Sequence, residues 1–157
     1  MIRARLSLFW VLLFAPGVAS AACESDRADI RGDWGQARFT VEVADDFQER
    51  SLGLMHRESL ATSAAMLFAY DRAQRVVFWM KNTLIPLDMV FMDVRGLVTR
   101  VHENAIPQDL THIEGGDRVM FVLEINGGLA RQMGIVEGSE LRHPIIGADA
   151  AWPCADG

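Results

Sequence analysis

Lysine is nearly absent from this chain. Lys81 is the only one, and it lies inside the apolar stretch FWMKNTLIPLDMVFMD, residues 78–93. No basic run occurs anywhere, and the formal net charge is −6, which argues against nucleic acid or an anionic membrane surface as a partner. Only one long apolar run exists, residues 6–15, and it is too short to anchor a bilayer span. No G-x-S-x-G, P-loop or H-E-x-x-H pattern appears, so the common signatures of acyl transfer, nucleotide binding and zinc proteolysis are missing. His56, His102, His112 and His143 show neither H-x-H nor H-x-x-x-H spacing and have no cysteine beside them, which argues against a metal site. The many methionines sit among apolar neighbours, where they read as core filling rather than as copper ligands. No cofactor is implied.

The N-terminus has its own logic. Arg3 and Arg5 precede the apolar run, Pro16-Gly17 break it, and Ala19-Ser20-Ala21 offers an A-x-A cleavage site. Residues 1–22 therefore read as a secretory signal peptide, and the product as periplasmic or secreted. Setting Arg3 and Arg5 aside takes the 15 basic residues to 13 against 21 acidic, and the charge from −6 to −8. Residues 23–157 are enough for one β-rich domain and not for two. The two cysteines, Cys23 and Cys154, stand at its two ends, and export favours a disulfide between them. The rival reading is lipidation of Cys23, but Ser20 occupies the position where a leucine is normal for that modification.

Short strands dominate the remainder. QARFTVEV, residues 36–43, places Phe39, Val41 and Val43 on one face. Asp46 followed by Glu49 forms a capping-box pattern, opening a helix over 47–55 that turns Phe47, Leu54 and Met55 inward. If its turns continue, Arg50 and Arg57 point the same way. Residues 64–70 and 75–81 read as two buried strands joined by a turn at Asp71–Gln74, with 87–93 and 97–102 as a following hairpin. Residues 103–117 read as a long loop and 118–125 as a buried strand. A helix LARQM closed by Gly134 and a last strand LRHPII complete the chain. The fold class is mainly β, bordering on α+β: a single sandwich or barrel-like domain with two short helices.

Three of these strands carry an ionisable residue beside apolar ones. Lys81 shares a face with Val77 and Trp79, Asp88 with Val90 and Met92, and Glu124 with Met120 and Val122. Burying an unpaired charge costs several kcal/mol, so such groups pair or line a wet cavity. Arg50 and Arg57 are the available further cations, Asn82 and Thr83 add polar groups, and Trp79 adds a stacking face. An apolar wall with a few convergent polar groups is the composition of a small-ligand site. Snorkelling or structural ion pairing accounts for the same residues without a ligand.

The segments RSLGLMHR (50–57), MLF (66–68), FWMKNTLIPLDM (78–89) and VLEINGG (122–128) resemble the exported bacterial proteins grouped as domain of unknown function 192, over about residues 36–147. The resemblance implies a compact β-rich fold with small helices and carries motif positions such as Arg50, Gly53, Met55, Trp79, Lys81, Asp88 and Glu124. Ala65 departs from the glycine usual before Met-Leu-Phe. The resemblance assigns no catalysis. Two functions follow from the residues: a non-enzymatic periplasmic binding or accessory domain for a small anionic or polyol ligand, or a cell-envelope carbohydrate hydrolase or lyase using Asp88 or Glu124 as general acid or base.

Overall fold

The structure is a computed structural model that describes residues 23–154. The proposed signal peptide lies outside the described residues. Seven strands and two α-helices follow in the order β1 (Arg27–Gly32), β2 (Gly35–Ala44), α1 (Phe47–Leu52), β3 (Ala64–Phe78), β4 (Leu87–Met92), β5 (Val98–Ala105), β6 (Ile113–Asn126), α2 (Leu129–Met133) and β7 (Glu140–Arg142), with a 3-10 turn at Pro144–Ile146. They form one sheet in the order β5-β4-β6-β3-β2-β1-β7. The β2–β3 pair is parallel and the other pairs are antiparallel. β7 returns towards the opposite edge through a Leu97–Glu140 bridge and the bonds Val98 N–H to Ser139 O and Leu141 N–H to Gly96 O, both 2.8 Å. The sheet is thus curled into a half-barrel, as the mainly β expectation required.

Two apolar clusters flank the central strands. One draws on all seven strands, including Ile30, Phe39, Leu67, Val90, Leu123 and Leu141, and is sealed by Leu129 and Ala130 of α2. The other lies on the opposite face of β3, β4 and β6, with Met66, Phe68, Met89, Phe91 and Val122 under Leu54 and Met80. Every residue of β4 is buried, because that strand is apolar on both faces and covered on both. Cys23 and Cys154 form a disulfide across 131 residues of chain, with Cα atoms 5.6 Å apart. The guanidinium carbons of Arg31 and Arg142 lie 4.3 and 4.2 Å from the Trp152 ring centroid next to it.

Several local expectations are corrected. α1 ends at Leu52, because Gly53 takes φ 51° and ψ −137°, a conformation that suits glycine, and its N–H closes on Glu49 O. Phe47, at the first helical position, is 79% exposed rather than inward, while Leu54 is buried as expected. Asp71–Gln74 is not a turn. β3 runs through it as one strand, with bulged register against β6 between Ala69 and Gln74. The expected long loop shrinks to residues 106–112, since β5 extends to Ala105 and β6 starts at Ile113. In the last segment only Glu140–Arg142 pairs, because Pro144 lacks an N–H and starts the 3-10 turn. β1 is an addition to the expected strands. Its Asp29, on the face opposite the core residues Ala28 and Ile30, is covered by Arg38 at 2.6 Å and Arg142 at 2.6 Å, which neutralise it there.

Candidate functional site

Glu124 organises the outer face of the sheet. Register places it opposite Met66 of β3 and Met89 of β4, so its side chain shares their apolar face. It is 5% exposed, and its carboxyl makes neither a hydrogen bond nor an ion pair among the described residues. Burial alone pushes its pKa up to about 8. The carboxyl is therefore mostly protonated at neutral pH.

The pocket onto which Glu124 opens has a volume of about 310 Å³. One wall is the Arg50–Met55 segment. The others are Phe68 and Tyr70 of β3, the β3 end at Val77–Trp79, and Thr83. Phe68 and Phe78 meet edge to face with centroids 5.1 Å apart. Gly53 turns the chain over this pair. A Cβ there would stand 3.3 Å from Phe68 Cζ, at a φ that disfavours any side chain. Arg50 reaches in from α1. Its Nη1 donates to Ala69 O at 2.8 Å and to Asp45 O, and its guanidinium carbon lies 5.2 Å from the Tyr70 centroid. Burial raises the Tyr70 pKa to about 12, with the nearby Arg50 opposing and Glu124 adding to the shift. Tyr70 thus sits within electrostatic reach of both charged groups.

Of the eight residues singled out by sequence, Arg50, Trp79, Thr83 and Glu124 line this pocket. The other four do not. Lys81 and Asn82 are exposed on the loop after β3. The Lys81 ammonium stands 5.2 Å from the Trp79 centroid and pairs with no acid among the described residues. The buried strand face expected for Lys81, Val77 and Trp79 does not form: β3 ends at Phe78, and Val77 and Trp79 are 43% and 45% exposed. Asn82 adopts φ 55° and donates from Nδ2 to Met55 Sδ at 3.9 Å. Arg57 does not follow Arg50. The helix has already ended, and its guanidinium forks onto Glu42 at 2.6 Å through each of two nitrogens. This pair lowers the Glu42 pKa.

Asp88 is the clearest relocation. It pairs in register with Ile125, whereas Met89 pairs with Glu124, so the two acids face opposite sides of the sheet. Fully buried, Asp88 accepts backbone N–H groups of Asn104 at 2.6 Å, Gly128 at 2.8 Å and Ala130 at 2.7 Å. It ties the start of α2 to the end of β5, and it forms no carboxylate pair with Glu124. Tyr70, Phe68 and Phe78 were not singled out as site residues, although M-x-F-x-Y alternation places Met66, Phe68 and Tyr70 on the Glu124 face. Among the described residues no three of His, Cys, Asp or Glu converge, and no helix is long and apolar enough to cross a membrane.

A curled seven-stranded half-barrel with two short helices, and a pocket on its outer face, defines a small β-rich domain. The chain belongs to the domain of unknown function 192 family, described as uncharacterized ACR, whose profile matches residues 29–143. A crystal structure of a protein of unknown function from Novosphingobium aromaticivorans DSM 12444 is similar at 36% identity and TM-score 0.72, over 73% of this chain and 82% of that one. Another from Sinorhizobium meliloti 1021, provisionally described as a transcription regulator, is similar at 35% identity and TM-score 0.72, over 77% of this chain and 95% of the other. Among curated proteins none matches the chain.

Proposed function

We propose that the protein is an exported, non-enzymatic binding or accessory domain, and that its ligand is a small molecule seated in the Glu124 pocket. The observation that carries this reading is the Glu124 side chain, 5% exposed, which makes no hydrogen bond or ion pair among the described residues and lines a pocket with aromatic walls. Such a group costs stability whatever its role, a cost that proteins carry at functional sites. Arg50 and Thr83 supply further polar contacts, and Phe68, Phe78 and Trp79 an apolar bed. The disulfide between Cys23 and Cys154 accords with export to an oxidising compartment.

Thermal shift with a small-metabolite panel tests the reading. At least one compound should raise Tm, and Trp79→Ala should weaken it by tenfold or more. If no compound shifts the wild type, or the same shift survives in Trp79→Ala, the pocket is not a binding site.

A general acid needs a raised pKa, and Glu124 has one. That favours the second reading, an envelope-carbohydrate hydrolase or lyase, with Glu124 and not Asp88 as its acid. Turnover of an envelope glycan abolished by Glu124→Gln would establish it. The description of the Sinorhizobium relative raises nucleic acid as a partner, against which stand the net charge of −6 and the lack of a basic run. Salt-sensitive retention of duplex DNA in a gel shift would reverse that expectation.

A further inference from the structure

We infer that the pocket ligand is a small carboxylate with an apolar body, its carboxylate bound between the Arg50 guanidinium and the Glu124 carboxyl, which donates the hydrogen bond. This deepens the binding reading and rests on it. The inference begins with which atoms remain free. Arg50 commits Nη1 to two backbone carbonyls, while Nε and Nη2 bond to no described residue. A guanidinium anchored on one side and open on the other presents a fixed donor pair to an anion. Glu124 faces the same space from β6 with no partner of its own. Tyr70 lines the same pocket, within electrostatic reach of both.

The charge balance selects the ligand. Met66 of β3 and Met89 of β4 sit opposite Glu124 in register, and the other titratable groups lining its pocket are Arg50 from α1 and Tyr70 from β3. Tyr70 stays neutral until far above physiological pH, and Arg50 is always charged. With Glu124 protonated, the pocket carries one positive charge. The exposed Lys81, its ammonium 5.2 Å from the ring centroid of the lining residue Trp79, adds a second cation beside that wall. An organic ammonium would meet cations on the way in and would have to ionise Glu124. A carboxylate is attracted by those cations and finds a protonated acid ready to donate. Phe68, Phe78 and Trp79 then take an alkyl or aryl body. Above pH 8 Glu124 ionises and repels the ligand, so each further pH unit should cost about tenfold in affinity.

The test is isothermal titration of the full mature chain with hexanoate, hexanol and hexylamine from pH 6.5 to 9.5. Hexanoate should bind at least tenfold more tightly than hexanol at pH 6.5, and its affinity should fall about tenfold per unit above pH 8. Arg50→Gln should weaken hexanoate by at least tenfold. Glu124→Gln, whose amide still donates, should bind it with a flat pH profile. Equal affinity for hexanol and hexanoate overturns the carboxylate inference, as does preference for hexylamine rising with pH. Either result leaves the binding reading standing. Silence from all three probes, beside a positive metabolite panel, also overturns the inference alone. Silence from the panel as well overturns both.

Discussion

Asp88 and Glu124 are two buried acids on neighbouring strands, separated by one step of register and by the thickness of the sheet. Asp88 has three N–H donors within 2.8 Å. Glu124 has none among the described residues. From sequence they look alike, each a carboxylate amid aliphatic residues. Burial therefore identifies neither as functional. What separates them is whether the backbone turns to meet the side chain. At Asp88 the start of α2 and the end of β5 do, and the residue holds a corner together. At Glu124 the neighbours in register are thioethers, which offer no donor, and the open side is a pocket.

The largest effect should follow from breaking the satisfied member. Asp88→Ala leaves three backbone donors without their acceptor, two of them at the α2 start, and should cost about 3–5 kcal/mol in urea denaturation. A loss below about 1 kcal/mol would mean that water replaces the carboxylate easily, and the contrast with Glu124 would collapse.

The unsatisfied member should behave in the opposite way. The folded pKa of Glu124, about 8, lies above its ordinary value of 4.5, so the folded state holds a proton that the unfolded chain has released. Stability is then fully present below pH 4.5 and falls as pH rises to 8. Glu124→Gln removes that slope and should stabilise the protein at pH 9 by up to about 5 kcal/mol, with little change near pH 4.5. Equal or lower stability of the variant at pH 9 would show that the acid has a partner after all.

This contrast also sorts what was legible in the sequence from what was not. Local rules carried well: the Asp46–Glu49 capping box forms, Gly134 closes α2 at φ 90°, and the doubly apolar β4 is buried throughout. Ionisable residues on apolar strands led to Glu124, and the search for their partners to Arg50, Trp79 and Thr83. The same rule was blind to partners, so it gathered Asp88 and Arg57 as well, one held by backbone donors and the other by Glu42. It also assumed that both faces of the strand reaching Lys81 were covered. β3 ends at Phe78, and Lys81 and Asn82 on the loop beyond it stand in solvent. The aromatic walls escaped notice because an aromatic on a buried strand reads as core, and Phe68 is indeed buried in the second cluster while its ring also lines the pocket beside Gly53.

His143 gives a smaller effect and extends the comparison to a buried base. It is 4% exposed, its Nε2 lies 2.9 Å from Ser25 O, and its Nδ1 accepts the Ile145 N–H at 3.1 Å. Both nitrogens are used by the neutral ring, and burial lowers the pKa below the ordinary 6.5. The unfolded chain therefore takes up its proton first, so stability is intact above pH 6.5 and is lost as pH falls, by at most about 1.4 kcal/mol per unit. Glu124 imposes the opposite slope over part of this range, so the measurement belongs in the Glu124→Gln background. There, His143→Gln should flatten the remaining loss between pH 6.5 and 5, and a persistent slope would assign it to other groups.

The smallest effect belongs to the residue whose sequence setting is most unusual. Lys81 forms no ion pair among the described residues and keeps its ammonium 5.2 Å from an exposed indole. Exposed cation–π contacts are worth about 0.5–1 kcal/mol, and removing a solvated side chain returns conformational entropy. Lys81→Ala should therefore change stability by less than about 0.5 kcal/mol, where the loss of a buried charge partner would cost several. A loss above 2 kcal/mol would require the ammonium to reach an acid that the present geometry keeps from it. Were that acid Glu124, its carboxyl would then ionise below neutral pH. That single variant therefore sharpens the contrast between the two acids from a third position, outside the sheet.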